Sequence, residues 1–160
     1  MALEKNNKLN LKNPLHLYAL GFGIGLSEKH AETIVALCVI PLCMLFILLP
    51  WYSQLAIIFF IAILSYCSTK SILDIIGFEN RKVIVCDEFM GMLITVFMSH
   101  SWSNVFLAFF VFSFFDILKL WPSKLITTKY PNALGEILDD VVSGVYSLVV
   151  MLLLNTYIFF

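Results

Sequence analysis

In the stretch KVIVCDEFMGMLITVF, Lys82 to Phe97, Asp87 and Glu88 stand side by side inside an otherwise apolar run. A second adjacent pair, Asp139-Asp140, precedes the apolar run that begins at Val141, and Asp116 sits near the end of another, in FFDILKLWP. A charged side chain at the centre of a membrane helix costs about 2.5–3.5 kcal/mol on the insertion scale, so acids in such runs call for a partner or a watery cavity. For any one of them, a plainer role is an interfacial acid or an anionic helix start favoured by the helix dipole. Five on three segments exceed that role. With one lysine nearby they suit a hard cation such as Mg²⁺, which takes oxygen ligands from a few carboxylates together with a substrate phosphate.

Lys119 follows Asp116 by three residues, a spacing that on a helix puts both on one face. There its ammonium either holds a phosphate as a point charge or pairs with Asp116. Upstream, GFGIGLSEKHAET places Gly21, Gly23 and Gly25 ahead of Ser27, His30 and Thr33. Glycines permit close packing or a tight turn, while exposed amides, with Ser27 and Thr33, offer an anion contact. His30 reads first as a solvated loop residue, with proton shuttling as its alternative.

Residue types exclude several established chemistries at phosphate. None of Cys38, Cys43, Cys67 and Cys86 is followed by an arginine-bearing loop, and the only arginine is Arg81, so an arginine pair cannot clamp phosphate. The cysteines lack metal-motif spacing and read as buried thiols. No Asp-x-Asp-x-Thr occurs. A covalent aspartyl route through Asp139 stays open, but water activated by a metal and attacking phosphorus is simpler, with Asp87 or Asp139 as base.

The elements that must carry these residues are apolar. The 160 residues are 61% hydrophobic and 13% charged with net charge −1, and mean hydropathy is +0.93. Average soluble domains carry about 25% charged residues. The composition predicts an all-α, polytopic membrane helix bundle, one domain over 1–160 with a polar tail over 1–13, and gives no basic field for nucleic acid. Five apolar segments are expected, Ile34–Leu49, Leu55–Leu73, Val83–Ser99, Val105–Trp121 and Val141–Phe160, the third and fifth opening on the acid pairs. Threading them puts all ten Lys and Arg residues on the side of the N-terminus, which the positive-inside rule makes cytoplasmic. The five acids gather at that same face.

Four stretches, GFGIGLSEKHAET, IVCDEFMGMLIT, FFDILKLWP and LGEILDDVVSG, occur in the order and spacing of the phosphatidylglycerophosphatase A family, which this chain resembles from about Leu20 onward. The resemblance implies a bacterial inner-membrane, Mg²⁺-dependent enzyme that hydrolyses the anionic phospholipid phosphatidylglycerophosphate to phosphatidylglycerol. It implies Asp87, Asp116, Asp139 and Lys119 as catalytic residues and Asp87, Glu88, Asp116, Asp139 and Asp140 as metal ligands. Lys119, Ser27, Thr33 and Gly25 would meet the substrate phosphate. The chain departs from the family at Ala31-Glu32-Thr33, usually Pro-Gly-Thr, at Ser113, usually arginine, and at Leu120, usually proline. Alternatives are a divergent member acting on another lipid phosphate and a non-catalytic assembly partner. A transporter would instead spread its acids through the membrane depth.

Overall fold

The computed structural model describes residues 9–26, 30–119 and 121–158, and among them there is no strand. Among the described residues seven helices follow in order: α1 Pro14–Ala19, α2 Ala31–Phe46, α3 Trp51–Ile76, α4 Asp87–Thr95, α5 Trp102–Leu118, α6 Ser123–Lys129 and α7 Ala133–Ile158. Short 3₁₀ turns over Gly21–Leu26 and Phe78–Val83 join α1 to α2 and α3 to α4.

α3 and α7 have 26 residues each, about 39 Å at 1.5 Å per residue, enough to cross a hydrocarbon layer of about 30 Å. These two helices meet the length and apolarity of a membrane span, and a third does if α5 and α6 are taken together as one bent span. Their outward residues are apolar: Phe59, Phe60, Phe106, Phe110, Phe114, Val149 and Leu153 are all exposed. Polar side chains lie inside instead, among them Ser65, Ser68, Thr69, Asn104, Ser143 and Ser147. A polar interior beneath an apolar surface is the pattern of a chain whose solvent is lipid.

The expected segment Val83–Ser99 is not one helix. Ile84 is extended, helix begins at Asp87, and after Thr95 the chain turns, with Met98 at φ 61°. The nine residues of α4 span only about 14 Å. α4 is nonetheless the innermost element, packed against α2, α3, α5 and α7. Met92, Leu93 and Val96 join Val35, Val39 and Phe46 of α2 and Val105, Ala108 and Phe112 of α5 in the main apolar core.

The fifth segment also differs. α7 starts at Ala133, eight residues before Val141, so Asp139 and Asp140 lie in its second turn instead of opening it. Asn132 accounts for the early start, because its side-chain oxygen accepts the N–H groups of Leu134 and Gly135 at 3.0 and 3.1 Å and so caps the first turn. α2 runs through Pro41.

Candidate active site

The approach to α4 is fixed from three sides. Val85 donates its N–H to the Ala19 carbonyl at 2.9 Å. The Ser65 hydroxyl of α3 donates to the Cys86 carbonyl at 3.3 Å and is hydrogen-bonded to the Tyr18 hydroxyl at 3.0 Å. Asp87 and Glu88 then occupy the first turn of α4, where the helix dipole favours anions. Asp87 Oδ1 accepts the Glu88 N–H at 3.3 Å, and both residues are buried.

One turn further along, the helices touch through glycine. Gly91 follows Asp87 by four residues and Gly144 follows Asp140 by four, so each glycine shares a helix face with an acid. A Cβ at Gly144 would come 2.9 Å from the Gly91 carbonyl oxygen, and one at Gly91 would come 2.4 Å from the Phe112 ring of α5. Small side chains at this crossing let α4, α5 and α7 approach closely. The acids of all three helices therefore converge at one end of the bundle.

Their partners are not uniform. Carboxylate oxygens of Glu88, Asp116 and Glu32 all lie within 4.8 Å of one another. Asp139 is engaged elsewhere: its two oxygens accept from the Lys119 ammonium and the Ser123 hydroxyl. Asp140 is buried, and its Oδ2 has no hydrogen-bond partner among the described residues. Arg81 pairs with Glu136 of α7, Nε to Oε1 at 2.9 Å.

Lys119 is not on the same helix face as Asp116, because α5 ends at Leu118 and Lys119 takes a left-handed conformation, φ 41° and ψ 62°. That turn carries its ammonium to Asp139. Burial acts against the lysine charge, but the hydrogen bond and attraction from Asp139, with Asp116 and Asp140 adding, outweigh it. The Lys119 pKa is held above the ordinary value of 10.5.

Toward the N-terminus the outcome is mixed. Gly25 is buried with its N–H donated to the Leu20 carbonyl at 2.9 Å, and a Cβ there would fall 2.0 Å from the Val83 carbonyl oxygen. Its role in this structure is close packing of two loops, since its amide is already used. Thr33 and His30 are exposed at the start of α2, His30 with φ 58°. Ser27 lies outside the described residues, as does Leu120.

Three polar residues join the site without having been singled out as members by sequence. Glu136 was legible in principle, since Glu-x-x-Asp-Asp at helical spacing puts it on the face of Asp139 and Asp140. Ser123 and Glu32 carry no such local signal, and only folding brings them to Asp139 and Asp116. The assembled donors fit a hard divalent cation. All are oxygens, two of them (Glu136 Oε2 and Asp140 Oδ2) are buried carboxylate oxygens with no partner among the described residues, and Glu32, Glu88 and Asp116 each bring one oxygen within 4.8 Å of the others.

An apolar-surfaced helical bundle that gathers buried carboxylates and a lysine at one end defines a membrane protein with a polar site for anionic and cationic groups. The family described as phosphatidylglycerophosphatase A matches residues 17–155. Phosphatidylglycerophosphatase A of Escherichia coli (strain K12) is 36% identical over 145 residues, covering 88% of this chain and 83% of the relative. The Haemophilus influenzae protein of the same description (strain ATCC 51907 / DSM 11121 / KW20 / Rd) is 34% identical over 161 residues, covering 93% and 95%. No solved structure matches the chain. The chain belongs to the phosphatidylglycerophosphatase A family and is a phosphatase.

Proposed function

We propose that this protein hydrolyses phosphatidylglycerophosphate to phosphatidylglycerol and phosphate in phospholipid biosynthesis, with Mg²⁺ as cofactor. The observation that carries this reading is the approach of the Glu88 and Asp116 carboxylates beside the Asp139–Lys119–Ser123 group, at one end of an apolar bundle. Glu88 and Asp116 hold the metal, with Asp87 and Asp140 beside them. When bound, Mg²⁺ supplies Lewis-acid polarisation and charge neutralisation at phosphoryl oxygens.

The remaining work falls to the chain. Lys119, oriented by Asp139, presents its ammonium to the phosphate, and Ser123 fixes the other oxygen of Asp139. With both Asp139 oxygens engaged, Asp87 is the acid that takes the proton from the attacking water. Water adds to phosphorus, the bond from phosphorus to the glycerol oxygen breaks, and that oxygen takes up the proton returned from Asp87 and leaves as the hydroxyl of phosphatidylglycerol, with phosphate as the other product. The acyl chains stay in the bilayer against the apolar helix faces. Thr33 and Ser27 are the further residues proposed to contact the phosphate.

The single domain over 1–160 passes through the bacterial inner membrane five times, by α2, α3, α5, α7 and the segment 83–99 that contains α4, with a cytoplasmic N-terminus and site. Lys70, Arg81, Lys82, Lys119, Lys124 and Lys129 all lie toward the acid end, which favours the cytoplasm for that side. Exposed Trp51, Tyr52 and Trp102 suit the opposite interface.

The test is phosphate release by purified protein in detergent from phosphatidylglycerophosphate, phosphatidic acid and a soluble phosphomonoester, each with Mg²⁺ and with chelator. Preference for the first substrate and dependence on Mg²⁺ are expected. Equal turnover with chelator would overturn the metal assignment, and preference for another lipid phosphate would overturn the substrate.

A further inference from the structure

We infer that Glu32, in the first turn of α2, is a third carboxylate ligand of the divalent cation held by Glu88 and Asp116. The inference rests on the metal-dependent reading above and extends the ligand set to a residue outside it. Glu32 differs from its two neighbours in being exposed, whereas Glu88 and Asp116 are buried. An exposed glutamate has free rotamers leading to water, where three like charges would repel least. Its oxygen nevertheless lies within 4.8 Å of both the Glu88 and the Asp116 oxygens. A shared cation gives that convergence a physical cause.

A second observation points to the same ion. Asp140 is 4% exposed and keeps Oδ2 buried with no hydrogen-bond partner among the described residues, on the helix packed directly against that of Glu88. Buried carboxylate oxygens are ordinarily satisfied, so an unpartnered one on the helix packed against that of Glu88 fits a cation at this end of the bundle. The competing role for Glu32 is an anion at a helix N-terminus, since His30 gives α2 no side-chain cap. That role asks only for proximity to the first turn of α2. It does not require an approach to α4 and α5.

Glu32 would act as a gate-side ligand. Glu88 and Asp116 are fixed by burial, while Glu32 reaches in from the water-facing edge and closes the coordination from outside. The extra negative ligand predicts tighter divalent binding in this chain than an uncharged residue at position 32 would give.

The experiment is titration of purified full-length protein in detergent with Mn²⁺, following loss of the free-ion EPR signal, alongside thermal unfolding without divalent ions. Wild type is expected to bind Mn²⁺ in competition with Mg²⁺. E32Q and E32G should each weaken binding at least about ten-fold, the scale of losing one supporting group at a metal site, with little change in metal-free unfolding temperature. D116N serves as the control for the site itself. E32Q and E32G binding like wild type while D116N loses affinity would sink the Glu32 assignment and leave the metal site standing. A lower metal-free unfolding temperature with unchanged affinity would also sink it, in favour of the helix-terminus role. No Mn²⁺ binding by wild type, or unchanged binding by D116N, would remove the metal reading and the inference with it.

Discussion

Gly144 of α7 faces Gly91 of α4 so closely that a methyl group at Gly144 would stand 2.9 Å from the Gly91 carbonyl oxygen. The contact lies one helical turn from Asp140 on one side and from Asp87 on the other, so it sets the separation of two acid-bearing helices. Phe112 closes the third side by packing against Gly91, and Asp116 follows Phe112 by one turn of α5. One apolar crossing thus positions three carboxylate-bearing turns.

Gly144→Ala is expected to separate α4 from α7 and cost about 1–3 kcal/mol, the usual range for overpacking a filled interior. Phosphate release should fall further than stability does, because the acids move with their helices. Thermal unfolding in detergent and turnover on the same sample check this. Wild-type turnover in a normally folded variant would show that the glycine contact does not set the site.

Lys119→Met should lower turnover by about 10²-fold or more, the scale of losing one preorganised charge-stabilising group. Ser123→Ala should cost less, since Lys119 still holds one oxygen of Asp139. Steady-state phosphate release for both variants decides the order. The reverse order would mean that Asp139 is oriented chiefly by the serine.

Glu88→Gln and Asp116→Asn should raise the Mg²⁺ concentration needed for half-maximal turnover while the protein stays in the membrane fraction. A Mg²⁺ titration of washed membranes measures this. An unchanged midpoint in Asp116→Asn would remove that residue from the ligand set.

The Lys119 pKa in the fold is raised above its ordinary 10.5, so the stability that this group contributes is fully present below 10.5 and is lost only as pH rises through the higher folded value. Lys119 therefore contributes no change between about pH 6 and pH 9. Comparing unfolding temperatures of wild type and Lys119→Met across that window should show no loss of the wild-type advantage toward pH 9. A difference shrinking toward pH 9 would show that the lysine titrates lower.

Arg81→Gln removes the partner of Glu136, yet the arginine side chain is 37% exposed. Solvent screening limits the loss to about 1 kcal/mol or less. Unfolding temperature at low and high salt checks this, with the wild-type advantage expected to shrink as salt rises.

The acids themselves were legible in the sequence, because a carboxylate in an apolar run is costly wherever that run folds. α3 and α5 fell close to their expected bounds for the same reason, since long apolar runs read as helix without tertiary information. Other features depended on contacts that are distant along the chain. The start of α7 followed from the Asn132 cap, which outweighed the polarity of Glu136, Asp139 and Asp140. α4 was shorter than its apolar run because the chain turns at both ends of it. Lys119 left the face of Asp116 because α5 stopped one residue earlier.

The sequence by itself determined that the chain is an apolar helical protein with acids off-centre in its runs, since transfer cost and residue type are local properties. The tertiary structure decided which acids share a cluster: Glu88 and Asp116 with Glu32, and Asp139 with Lys119 and Ser123. That partition depends on how closely α4, α5 and α7 pack, and close packing is a property of matched surfaces that no single segment carries.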